Sequence, residues 1–243
     1  MTGGGRRREG ERTVTAGGPP GAGRGYHPWM AIAPPIADPS TTIELLGLAA
    51  QVEHTQFTRL AAYSRVAPGT AQRMALARCA VQRVEACERL LARITELDGD
   101  ADAAMGAFSH VLDGFDARTA STSWAERLLV PYLGYGVADD FCRLAADALD
   151  DESRALLQEV LADQQSADLA LSELDDVTAR DHVLTARLAL WGRRLVGEAL
   201  TVVQSVLESK PGMEHLLGVQ RGALYGKLTA EHARRMGRLR LTA

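Results

Sequence analysis

With 243 residues, 46 % of them hydrophobic, the chain is long enough to bury a substantial core in one domain. Its formal charge of -4 excludes a nucleic-acid footprint spread over the whole surface, and no apolar run reaches the length of a membrane span. Aromatic residues make up only 5 % while Ala and Leu abound, which favours helix over sheet. Cys79, Cys87 and Cys142 are odd in number and lie inside helical patterns. They read as reduced, buried small hydrophobes of a cytoplasmic protein, with neither a disulfide framework nor zinc spacing.

In chain order, residues 1–40 are rich in Gly, Pro and Arg (GGGRRREGER, AGGPPGAGRG) and lack periodicity, so a disordered tail is expected there. No apolar stretch follows Arg6, Arg7 and Arg8, which argues against a signal peptide. Met30 opens a plausible shorter product, leaving Met1 and Met30 as alternative translation starts. Residues 41–243 form the folded domain. Asp38 to Thr42 offer N-caps for a first helix running to about Arg65, where Pro68-Gly69 breaks the chain. A second helix is expected over about Thr70 to Leu97, closed by Asp98-Gly99-Asp100, and a short helix with a long crossing connection follows it. Thr122 or Ser123 caps a third helix to about Leu149, kinked by Pro131. A fourth is expected from Asp150 or Asp151 to about Val177, a fifth over about Ala179 to Glu208, and a sixth over about Met213 to Arg238. No strand signal survives, so the fold class is all-α.

Polar residues interrupt the apolar stripes of four of these helices. Leu46, Ala49, Phe57 and Leu60 lie on one helix face, and Glu53 sits on the same line. A carboxylate inside a core stripe is costly unless a metal, an arginine or a hydrogen-bonded network pairs with it. In the second helix Arg83 interrupts Leu76, Cys79, Ala86 and Leu90. In the third Tyr135 interrupts Leu128, Pro131 and Cys142, and in the fourth Asp163 interrupts Leu156, Val160, Ala167 and Leu174.

Four helices projecting polar groups inward is the layout of di-iron bundles, which require a Glu from each of two helices and Glu-x-x-His from the other two. No Glu-x-x-His occurs in this chain. The segments LAAQVEHTQF, LARCAVQRVEACERLL, YLGYGVADDF and ARLALWGRRLVGEAL nevertheless resemble the actinobacterial ferritin-like fold proteins. Those are related to the di-iron tRNA hydroxylase acting on methylthio-isopentenyl-adenosine. The resemblance covers about Thr42 to Gly237 and implies a ferritin-like four-helix bundle with one or two additional C-terminal helices. It also implies an iron site and oxygenase chemistry in the ancestral frame. On that frame Glu53 matches the first-helix ligand, and Arg83 and Ala86 stand at the first Glu-x-x-His. Tyr135 replaces the third-helix carboxylate, and Asp163 and Ser166 stand at the second acid and histidine.

This pattern leads to an expectation of a polar cluster, Glu53, Arg83, Tyr135, Asp163 and Ser166, in place of the metals. Arg83 and Tyr135 would tie Glu53 and Asp163 together, since a guanidinium fork serves carboxylates bidentately. The corresponding function is non-catalytic binding or scaffolding, with no cofactor, Glu53 and Asp163 being vestigial metal positions. The competing reading is an iron-dependent or single-metal oxidoreductase, a hydroxylase of tRNA or of a small molecule. It would recruit Glu53, Asp163, Glu85, Glu88, Asp139 and Asp140, although the last four read more simply as solvated helix faces. For partners, a homodimer is one reading. An RNA contact through Arg234, Arg235, Arg238 and Arg240 is another, set against the plainer view that these arginines complement a helix C-terminus.

Overall fold

The computed structural model describes residues 37–162 and 164–243, the side chains of residues 176 and 177 excepted. The expected tail over residues 1–40 therefore falls almost wholly outside the described residues, as does Asp163. Among the described residues the secondary structure is helical, with no strand.

Helix α1 (Pro39–Arg65) starts where the sequence supplies both signals for it: Asp38 accepts from the Thr41 N–H at 3.0 Å, and Pro39 fills the first turn. Its segment from Leu45 to Glu53 is buried at every position, so α1 runs through the centre of the molecule. A short turn at Pro68-Gly69 returns the chain into α2 (Thr70–Glu96), which packs along α1 as its antiparallel neighbour. Leu76, Cys79, Arg83, Ala86 and Leu90 are all buried, so the stripe inferred from their spacing is the packed face. Asp98 ends the helix in the left-handed conformation at φ 58°.

The crossing connection contains two short helices, α3 (Ala101–Gly106) and α4 (Asp113–Arg118). A Cβ on Gly47 would lie 2.5 Å from the Ala104 carbonyl oxygen, so the absence of a side chain there lets α3 sit on α1. Ser123 and Glu126 form a capping box that starts α5 (Trp124–Leu129). The helix then widens to π winding over Val130–Tyr135 and resumes as α6 (Gly136–Ala146). Pro131 has no N–H to give to the α pattern, and the strain expected as a kink is taken up as the π segment.

Two expected helices are divided. The fourth becomes α7 (Asp151–Val160), capped by Asp150, and α8 (Gln165–Arg180). Gln164 begins the new helix by accepting from the Asp168 N–H at 2.8 Å, while its side-chain amide bonds the Ala162 carbonyl at 3.4 Å. Asp181 caps α9 (His182–Ser209) by accepting from the Val183 and Leu184 N–H groups. The expected sixth helix becomes α10 (Pro211–Leu216) and α11 (Arg221–Arg238), because Gly218 turns the chain at φ 58°. The π segment packs against α1, α8, α9 and α11, which makes it the hub between the front of the bundle and its C-terminal helices.

Candidate functional site

The four interrupted helices bring some of their polar residues together and keep others apart. On α1, Glu53 is 1 % exposed; on α2, Arg83 is 5 % exposed. The Arg83 Nη1 donates to Glu53 Oε2 at 3.0 Å and reaches Oε1 at 3.4 Å. Asp139 of α6 completes the group: it interacts electrostatically with both residues, and Gln56, one turn beyond Glu53, reaches its Oδ1 at 3.5 Å. Burial pushes the Glu53 carboxyl up to about 8; Arg83 opposes the shift and Asp139 adds to it. Burial likewise raises Asp139 to about 6, against the pull of Arg83 and Arg143. Cys142 lies within the influence of both carboxylates, and its thiol is raised by burial first and then by Asp139 and Glu53.

Tyr135 does not join this group. Its hydroxyl donates to Asp116 Oδ1 at 2.9 Å, and Arg59 Nη2 lies 2.5 Å from the same oxygen. Arg59 Nη1 also donates to the Tyr63 hydroxyl at 3.1 Å. The expected link from Tyr135 to Arg83 and Glu53 projects a uniform helical period through Pro131. The π winding delays rotation over six residues and aims the ring elsewhere. Burial drives the Tyr135 hydroxyl well above its ordinary range. Ser166 stands beside Cys79 at the edge of a cleft that also reaches Arg83. Asp163 lies outside the described residues.

Residues 39–220 match the family model described as a ferritin-like domain of actinomycetes. The chain belongs to that family. No curated protein matches it. In this ferritin-like domain the inward position on α1 holds an acid and the facing position on α2 a base. Among the described residues no group of three or more His, Cys, Asp or Glu side chains is placed to hold a metal ion.

The remaining candidates divide between surface and interior. Glu85 and Glu88 are exposed on α2, as a solvated face requires. Asp139 and Asp140 are not on such a face. Asp140 is 5 % exposed and lies between two guanidiniums, with Arg143 Nη1 donating to Oδ1 at 2.8 Å and Arg235 Nη2 lying 2.7 Å from Oδ2. The C-terminal arginines are likewise dispersed. Arg234 bonds Glu231 at 2.7 Å, Arg238 lies over the Tyr132 ring at 6.0 Å, and Arg240 pairs with Asp175 at 2.9 Å.

Spacing gave signals for part of what was missed. Gln56 follows Glu53 by three residues and Arg143 follows Asp140 by three, the separations at which helical side chains meet. Asp116 and Arg59 carried no such signal, because their partner comes from a distant segment.

Proposed function

We propose that this ferritin-like bundle is a non-catalytic relative of the di-iron tRNA hydroxylases, serving by binding, with an ion pair in the volume where the relatives would hold metal. The observation that carries the reading is the Arg83 guanidinium at 3.0 Å from Glu53 inside the bundle. A guanidinium has N–H donors and no lone pair, so it supplies a fixed cation where a metal site needs a ligand. Di-iron chemistry calls for several anionic oxygens and neutral imidazoles around open positions. Here α2 presents Arg83 and Ala86, Tyr135 is engaged with Asp116, and the buried His232 of α11 lies against the backbone of Leu133 and Gly192. That donor set does not fit two irons.

A second reading has one supporting observation: Asp139 lies close enough to Glu53 to raise its affinity for a proton or another cation. A single-metal oxidoreductase using these two carboxylates is the enzyme alternative. Elemental analysis of protein expressed with added iron and purified without chelators separates the readings. The ion-pair reading expects no stoichiometric metal, and a loss of stability in Arg83→Ala. About two irons per chain, lost in Glu53→Ala, would revive the hydroxylase. A single equivalent of metal, lost in Glu53→Ala and in Asp139→Ala, would favour the second reading.

A further inference from the structure

Beside the Glu53–Arg83 pair, a cleft of about 400 Å³ opens between the π segment, α6, α11 and the residues Leu161, Ala162 and Gln164. That volume suits a small organic molecule. Arg83 lies among its lining residues, and four further arginines, Arg143, Arg234, Arg235 and Arg238, surround it. Arg143 gives N–H groups to Asp140 and the Leu161 carbonyl, Arg234 to Glu231, and Arg235 lies against Asp140, which leaves each of these three with further donors. Asp140 carries two of the guanidiniums, one on each oxygen, which neutralises its charge and fixes Arg143 and Arg235 beside one another.

Arg235 is the informative one. Its Nη2 lies 2.7 Å from Asp140, yet neither Nη2 nor Nε makes a directed hydrogen bond, and both atoms are buried. Its guanidinium lies against Gly136, where a Cβ would come within 2.9 Å of Cζ and Nε. Glycine at this place therefore lets a planar cation lie on the backbone with its Nη2 beside Asp140. The third nitrogen, Nη1, is neither buried nor hydrogen-bonded, so it is the donor that an acceptor entering the cleft can meet. Arg238, one turn on, is exposed and has no carboxylate partner among the described residues; it lies over the Tyr132 ring and interacts with its hydroxyl.

We propose that this cleft binds a small phosphate monoester, with Arg235 and Arg238 holding the phosphate, Arg143 and Arg234 at the mouth, and Tyr132 and Pro131 forming an apolar wall for the organic part. A phosphate offers several acceptor oxygens to paired guanidinium forks, which a single carboxylate does not. The arginines ring one concavity. They do not extend as a stripe, since Arg240 is outside the lining and engaged with Asp175, so a tracked RNA backbone is the less favoured occupant. The proposal deepens the binding role above and rests on it only in taking Arg83 to be held by Glu53.

The test is calorimetric and thermal titration of the full chain with inorganic phosphate and with adenosine 5′-monophosphate, at ionic strength held constant with sodium chloride. Saturable binding with a rise in Tm is expected from both, the nucleotide binding the more tightly. Arg238→Ala removes an exposed side chain and should weaken phosphate binding about tenfold or more without altering the circular dichroism spectrum. Gly136→Ala displaces the Arg235 guanidinium from its place beside Asp140 and should weaken binding similarly. Arg73→Ala, an exposed arginine on α2 away from the cleft, should leave binding unchanged.

Three results would overturn the proposal: a response no larger than that to chloride, equal affinity in Arg238→Ala and Gly136→Ala, or capture of a single-stranded RNA oligonucleotide that phosphate does not displace. Metal content is read separately. Failure of phosphate binding thus leaves the ion-pair reading standing, and a metal-loaded protein that still binds phosphate overturns only that reading.

Discussion

Arg83 crosses from α2 to α1 and donates from one nitrogen towards both oxygens of Glu53, at 3.0 and 3.4 Å, with both residues almost wholly buried. The two residues are thirty apart in sequence, and their contact closes the space between the two longest-packed helices of the bundle. A buried ion pair of this kind contributes little net stability against a well-packed apolar pair, because desolvating two charges offsets most of their attraction. Its effect is positional: one partner without the other is strongly unfavourable, so the pair fixes how α2 sits on α1.

Arg83→Met leaves Glu53 without its cation and is therefore expected to cost about 3–5 kcal/mol above about pH 8, where the carboxyl is ionised. The cost is less at lower pH, where the carboxyl holds its proton. Adding Glu53→Leu should recover most of that loss, since the second change removes the stranded carboxyl. Urea unfolding of the two single variants and the double variant gives the coupling energy directly. Additive losses in the double variant would mean that the two residues act independently.

The raised Glu53 carboxyl sets a direction for pH dependence. Its folded value of about 8 lies above the ordinary 4.5, so between the two the folded chain holds more protons than the unfolded one. Stability contributed through this group is therefore lost as pH rises from about 4.5 to about 8, and levels off above. Glu53→Gln cannot ionise and lacks that slope. Its unfolding free energy should gain on wild type between about pH 5 and about pH 8.5, and parallel profiles would count against a buried, proton-holding Glu53.

Tyr135 and Asp116 form a network separate from this one. Tyr135→Phe removes one hydrogen bond while Arg59 continues to neutralise Asp116, so a loss of about 1 kcal/mol is expected. Asp116→Ala should cost more, because it leaves the Arg59 cation and the Tyr135 hydroxyl together without their acceptor. Combined with Glu53→Gln, Tyr135→Phe should be additive to within about 0.5 kcal/mol. A larger coupling would place Tyr135 in the Glu53 group after all.

The same residues explain how much was legible beforehand. Heptad spacing on the second helix located Leu76, Cys79, Arg83, Ala86 and Leu90 on one buried face, because α2 is a regular helix from end to end. The same spacing failed for Tyr135 because the winding changes at Pro131, and no periodic pattern registers a π segment. Caps were legible at Asp38, Ser123 and Asp150, each standing ahead of an apolar run, but not at Asp181, which lies inside the stretch read as continuous from about Ala179. The break between α7 and α8 was not, since Gln164 is an ordinary helical residue and its role there comes from its backbone carbonyl and a local side-chain contact. Asp140 looked like a surface acid because its partner Arg235 lies on α11, ninety-five positions away in the chain by the numbering.

Close helix approach predicts opposite signs at two glycines. Gly47→Ala would bring a Cβ to 2.5 Å from the Ala104 backbone oxygen, which no rotamer change relieves, and should cost about 1–3 kcal/mol. Gly197 on α9 has nothing within 4 Å of the added carbon. There, alanine should stabilise by up to about 1 kcal/mol through helix propensity. Thermal unfolding of the two variants side by side checks both, and a neutral Gly47→Ala would mean that α3 moves freely off α1.

His232 supplies the opposite pH slope. Its side chain is 2 % exposed, on the face of α11 that packs against the backbone of Leu133 and Gly192, and burial followed by the charge of Arg235 lowers its value from 6.5 to about 4. Between those values the unfolded chain binds the proton and the folded chain does not, so stability is lost as pH falls from about 6.5 towards about 4. The full excursion corresponds to about 3 kcal/mol. His232→Gln keeps a neutral polar group and removes the titration, so its stability should fall less steeply below about pH 6.5 than that of wild type, although it starts lower at neutral pH. Because the Glu53 slope runs the other way, wild type should be most stable in mildly acidic solution. His232→Gln should shift that maximum to lower pH and Glu53→Gln to higher pH. Urea unfolding of the three proteins across the range from about pH 4 to about pH 9 reads both shifts, and a maximum that moves in the same direction in both variants would show that at least one of these buried groups does not titrate as its surroundings require.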